Sequence, residues 1–177
     1  MSQKKVIVRR FSPGVLLGYL PASGIVSSGR VDLLDLGGTV HPLPLSEIRL
    51  ISYVRDFNAG DTVNPERLLK KTFQSRPRTE GLWVRLTMRD GEVLEGLAPL
   101  DVSLADGLMA DAGIYLVPPD IRGNTLRLFV PRLAMEALKI VSVVTSPSTK
   151  KKREAIVAEA AQTDLFSLHV SPDSRPQ

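Results

Sequence analysis

Cysteine is absent from the 177 residues, which excludes disulfides, thiolate catalysis and cysteine-ligated zinc together. Histidine is almost absent. His41 and His169 are the only two, far apart and without partners at ligand spacing, so neither a metal nor another cofactor is expected. Aromatic residues make up 5% of the chain, so the core must be aliphatic and few rings remain for stacking bases. No apolar run approaches membrane-spanning length. The first ten residues, MSQKKVIVRR, carry basic groups but no signal-type hydrophobic region, and the expected location is the cytoplasm. No carboxylate pair, nucleophile–base pair or phosphate-cradling glycine loop stands out, so an enzyme is not expected.

What is present is a strong β pattern. Hydrophobic residues reach 43%, enough for a packed core, and the formal charge of +4 permits an anionic partner without requiring one. The chain is organised around Trp83–Leu97, WVRLTMRDGEVLEGL. Val84, Leu86 and Met88 alternate with Trp83, Arg85, Thr87 and Arg89, the period of a half-buried strand. Asp90-Gly91 supplies a hairpin turn that needs positive φ, and Gly96 then marks a bend, a bulge or a close backbone approach. Val6–Leu20, VIVRRFSPGVLLGYL, repeats the plan, with its turn at Ser12-Pro13-Gly14 and its later glycine at Gly18. Each copy ends in a similar closing strand, IRLISYV from Ile48 and LKIVSVV from Leu138.

These repeats divide the chain. Residues 4–54 form a first small β-barrel, with Pro42 and Pro44 confined to an edge strand or a bend. Residues 55–81 are a linker in which Asn64-Pro65-Glu66 starts a short helix running to about Phe73, its basic face carrying Arg67, Lys70 and Lys71. Residues 82–144 form a second barrel, with Ser103 to Gly113 read mostly as loop. Residues 145–177 form a hinge, a basic helix over Lys150–Ala161 capped by Thr149, and a flexible tail. The expected fold class is therefore mainly β: two tandem small bent-sheet barrels, a short linker helix and a C-terminal helix and tail.

The order of hairpin, bent strand, apolar strand, tight turn and closing Ile/Val strand resembles the Sm-like barrel of Sm, LSm and Hfq proteins. VRLTMRDGEVLEGL, followed by Asp101-Val102-Ser103-Leu104, looks like the first Sm motif. VDLLDLGGTVHPLPLSEIRLISYV is similar to the last three strands of an Hfq-like barrel. The resemblance implies RNA or single-stranded nucleic-acid binding, with Arg122, Gly123 and Asn124 as the candidate loop. Trp83 beside Arg85 is the one place where a ring interleaves with basic residues, and the charge of the run Lys150, Lys151 and Lys152 suits phosphate or anionic lipid. The family's chemistry is poorly matched, however. Leu104-Ala105 stands where the base-reading asparagine belongs. Ile121-Arg122-Gly123-Asn124 looks like the second Sm motif, but the internal repeat sets it opposite Gly37-Gly38, an earlier turn of the barrel.

Two shorter signals point elsewhere. Gln162, Asp164, Leu165 and Phe166 of QTDLF look like the peptide by which polymerases and repair proteins dock on a sliding clamp. Arg85, Arg89, Asp101 and Ser103 are similar to the PilZ pattern for cyclic di-GMP, although Asp106 stands where that pattern needs glycine and Gly107 comes one residue late. With aromatics scarce and the base reader missing, the favoured expectation is a non-enzymatic adaptor or regulator. It would act through protein contacts or self-association at its sheet edges, which barrels of this kind leave open.

Overall fold

The computed structural model describes residues 3–58, 60–61, 63–66, 70–101, 103–109, 112–120 and 122–145, and of Ser103 the backbone alone. Residues Met1–Val144 form one compact unit and Thr145–Gln177 a second. The expected basic helix and tail lie outside the described residues.

The fold is mainly β. The strands are β1 (Gln3–Arg10), β2 (Val15–Pro21), β3 (Val26–Ser27), β4 (Arg30–Asp35), β5 (Val40–Pro44), β6 (Ile48–Val54), β7 (Gly81–Met88), β8 (Val93–Ala98), β9 (Gly113–Leu116), β10 (Thr125–Pro131) and β11 (Met135–Val144), with helix α1 at Ser103–Met109. The alternation that predicts β7 is realised in its burial: Val84, Leu86 and Met88 are buried and Arg85 is exposed. The Met88 amide donates to Glu92 and the Gly91 amide to Met88, each at 2.8 Å, and Gly91 adopts φ 81°. The turn therefore uses the residue that tolerates a left-handed backbone.

Both repeats follow one plan. In the first, β6 pairs with β1, β1 with β2, β2 with β4 and β4 with β5. In the second, β11 pairs with β7, β7 with β8, and β9 with β10. β8 reaches the end of β9 through reciprocal 2.9 Å bonds between Leu97 and Val117. In each repeat the last strand returns to lie beside the first.

The halves are nevertheless not separate barrels. β10 of the second repeat pairs antiparallel with β6 of the first, with Phe129 opposite Ile51 and Leu128 opposite Ser52. One eight-stranded sheet thus runs β3-β4-β2-β1-β6-β10-β9 with β5 attached to β4, beside a three-stranded sheet β11-β7-β8. Two cores follow the repeats but exchange side chains at this junction. Leu50 of β6 packs with Val84, Leu86 and Met88, while Phe129 of β10 packs with Val6, Ile51 and Tyr53. Period-2 geometry explains the exchange, since Leu128 and Val130 face one core and Phe129 between them faces the other.

Two local expectations fail. The described part of the linker is not helical: Pro65 and Glu66 form a turn and Lys70–Phe73 is irregular. Glu66 is instead drawn inward, 4% exposed, where the Arg9 guanidinium donates to its carboxylate at 2.6 and 2.8 Å. A buried ion pair outweighs the helix-start signal. The stretch read as loop after Asp101 contains α1, whose seven residues show too little periodicity to stand out.

Candidate functional site

The sequence-derived residues do not form one constellation. On β7, the ring of Trp83 packs edge-on against Phe73, with centroids 5.6 Å apart. Arg85 is bound to Glu95 on β8, directly across the hairpin, at 2.7 Å from Nε and 2.6 Å from Nη2. Glu95 is 1% exposed and also accepts the Phe73 amide at 2.9 Å. Burial pushes this carboxyl's pKa up, but the Phe73 N–H and the Arg85 guanidinium outweigh it and hold the group below the usual glutamate value. Arg89 lies over the ring of Phe11, 4.3 Å from its centroid. Asp101 lies in the exposed turn before α1, and the side chain of Ser103 falls outside the described residues. The two arginines of the cyclic di-GMP pattern are thus spent on neighbours within the fold.

Arg122, Gly123 and Asn124 sit between β9 and β10, and this loop is a structural tie. Asn124 Nδ2 donates to the carbonyls of Asp56 (2.8 Å) and Glu66 (3.2 Å), and its Oδ1 accepts the Asp56 amide at 3.0 Å. Its own carbonyl accepts the Arg55 amide at 2.9 Å, and Gly123 accepts Arg55 Nε at 3.3 Å. Both side-chain donors of Asn124 are therefore used in fastening the linker to β10. Asn124→Ala should cost about 2 kcal/mol, the typical sum for several partly exposed hydrogen bonds, read as a lower urea midpoint at unchanged slope. A variant indistinguishable from the native chain would show the tie to be dispensable. Ile121, Lys150, Lys151, Lys152, Gln162, Asp164, Leu165 and Phe166 lie outside the described residues.

The feature that sequence reading passed over is the outer edge of β11. The closing strands IRLISYV and LKIVSVV align residue for residue, yet their surroundings differ. Leu50, Ile51 and Tyr53 of β6 are 4%, 0% and 4% exposed because β10 lies against them. Their counterparts Ile140, Val141 and Val143 of β11 are 56%, 37% and 48% exposed. β7 occupies one side of β11, and among the described residues no strand occupies the other. The strand is ten residues long and contains no proline, so every backbone donor is intact. The signal was available in the two matching closing strands, but their sequence does not say which one is covered.

Residues 2–142 match DUF6982, a family of unknown function. The chain belongs to that family. The match spans both repeats and stops within β11. No curated protein and no solved structure matches the chain.

Beyond the edge, two clefts mark the DUF6982 chain. One, of about 340 Å³, is lined by Arg9, Arg49, Glu66, Lys71 and Glu92 among others. Its charges cancel in pairs: Arg9 with Glu66, Arg49 with Asp90 and Glu92, and Lys71 with Glu92. The other, of about 380 Å³, is open and basic, lined by Lys70, Arg76 and Arg78 with Phe73, Leu97 and Pro118. Among the described residues no group of three or more His, Asp or Glu side chains is placed to hold a metal ion. No helix among them is long and apolar enough to cross a membrane.

Proposed function

We propose that this protein is a non-enzymatic cytoplasmic adaptor that offers the edge of β11 to a strand of a protein partner. The observation that supports the reading is the contrast between the closing strands: the same apolar pattern is buried under β10 in one repeat and exposed in the other. A long, proline-free edge with exposed Ile and Val is the surface that strand addition uses, backbone bonds supplying affinity and alternate side chains specificity. A photo-cross-linking amino acid at position 140, in the full chain expressed in its host, is expected to give a discrete protein adduct. The same label at Val93, which is 39% exposed on β8, serves as the control. No protein adduct above that control would overturn the reading.

The basic cleft supports a second reading, single-stranded nucleic-acid binding. Lys70, Arg76 and Arg78 gather around Phe73, a combination of cations and a ring suited to a phosphate backbone and a stacked base. Here the triple variant Lys70→Ala/Arg76→Ala/Arg78→Ala should weaken binding of labelled single-stranded RNA. It should also flatten the logarithmic salt slope by about 2, as expected for three lost phosphate contacts. RNA binding with an unchanged slope, or none in the native chain, would remove the cleft from consideration.

A further inference from the structure

The chain contains a worked example of how a closing strand is covered. β6 receives β10 antiparallel, and the junction buries apolar residues from both. By the repeat, the two groups left over are β11, the second closing strand, and β5, which stands in the first repeat where β10 stands in the second. If β5 of one copy covered β11 of the next, the chains would add head to tail, and such an interface closes into a ring or runs on into a filament.

β5 is unfit for that role. The Asp35 amide donates to Thr39 at 2.9 Å and the Leu45 amide to Gly29 at 3.0 Å. With the register of β4 and β5, this turns the backbone of Thr39, His41, Leu43 and Leu45 toward β4 and that of Val40, Pro42 and Pro44 toward the free edge. Of those three outward residues only Val40 has an N–H. The prolines thus remove donors on the side where a new strand would need them, a known way of blunting an edge.

β11 has no proline, its pairing with β7 shifts register at Glu136 and at Val141, and its charges complement themselves. Glu136 and Lys139 are its only charged residues. Antiparallel pairing of two β11 strands about a two-fold axis at Val141 sets Lys139 opposite Val143 and Leu138 opposite Val144, and leaves Glu136 beyond the end of the facing strand. No like charges meet: Val141 faces its own copy across the axis, Ile140 faces Ser142, and the two Ile140 side chains lie diagonally across the axis. We propose that two copies pair through β11 into a closed dimer, while Pro42 and Pro44 keep the opposite edge from extending it. The proposal rests on reading β11 as an interaction edge, and it names the partner as a second copy of this chain. Pairing would fuse two three-stranded sheets into a continuous sheet twice as wide.

The absence of cysteine allows a clean test on the full chain. Val141→Cys should form a disulfide-linked dimer at least about tenfold faster than Val93→Cys, a collisional control, because facing Cα atoms at the axis come within disulfide reach. Light scattering should give twice the chain mass. Ile140→Lys and, separately, Val143→Lys should raise the dissociation constant at least about tenfold, since the first sets the two introduced lysines diagonally across the axis and the second sets each against Lys139 of the facing copy, with the circular dichroism unchanged. Both positions are exposed in the free chain, so neither change threatens folding. A mixture of Val40→Cys and Val141→Cys giving mainly the mixed adduct would overturn the proposal in favour of head-to-tail assembly. A strict monomer at high concentration would also overturn it. If position 140 still cross-links to a different protein, the adaptor reading survives that failure; if it cross-links to none, both readings fall.

Discussion

Gly18→Ala is expected to destabilise the Met1–Val144 unit by about 3 kcal/mol, the upper end of what an added methyl costs in a packed site. Gly18 lies in β2, opposite Val6 on one side and Asp35 on the other. A Cβ there would stand 2.3 Å from the Leu34 carbonyl oxygen and 2.9 Å from Leu33 Cδ1. Neither atom can yield cheaply. Leu34 belongs to the paired backbone of β4, and Leu33 is 1% exposed in the first core. The second repeat repeats the device less severely, since a Cβ at Gly96 would meet Leu116 Cβ at 2.8 Å and the Val117 carbonyl at 3.1 Å. Gly96→Ala should therefore lose less. Gly24→Ala serves as a control, because Gly24 has φ +64° with no atom within 4 Å of its Cβ position, so only backbone strain of about 1 kcal/mol is at stake. Urea melts of the three variants should rank Gly18 first, with midpoints shifted at constant slope. Equal losses at all three positions would show that close strand approach is not what these glycines serve.

Glu95→Ala should cost about 2 kcal/mol, because a part-buried amide is left without an acceptor and a charge-assisted pair is lost. The Phe73 N–H loses its partner, whereas Arg85, with half of its side chain exposed, can turn to solvent. That asymmetry keeps the loss below what a fully buried ion pair would show. The same residue gives a pH signature. Its folded pKa is lower than the ordinary value of 4.5, so the folded state favours the ionised form. The stability it contributes is complete above that ordinary value and is lost as pH falls through the lower folded value. The gap between native and Glu95→Ala melting curves should accordingly be widest near neutrality and close in acid. A gap that stays constant down to low pH would mean that the carboxylate's charge plays no part.

Much of the fold was legible because the controlling interactions are local. The alternation in β7 and the Asp90-Gly91 turn act within a few residues, and each has the structural role its chemistry suggests. Gly18 and Gly96 recur at matching places, and both allow a close approach to the next strand of their repeat. Pro42 and Pro44 fall on an edge strand, as residues without N–H must. In the described part of the linker no helix forms, and Glu66 there is held by Arg9, a residue far back in the chain whose position no local pattern reveals. The candidate RNA residues suffered the same limit. Arg85 and Asn124 have suitable chemistry, but whether a guanidinium or an amide is free depends on neighbours brought by folding, here Glu95, Asp56 and Glu66.

The sequence by itself determined that this is a mainly β protein with two related repeats, an aliphatic core and no cysteine chemistry, since composition and period-2 patterning act residue by residue. Only the tertiary structure decided how the repeats are joined. IRLISYV and LKIVSVV are nearly interchangeable as strings, and either could have received β10. Pairing of β10 with β6 brings together residues about Ile51 and Phe129, and that long-range choice follows from complementary packing of two cores. It buries one closing strand and leaves the other, β11, as the exposed edge on which the proposed function depends.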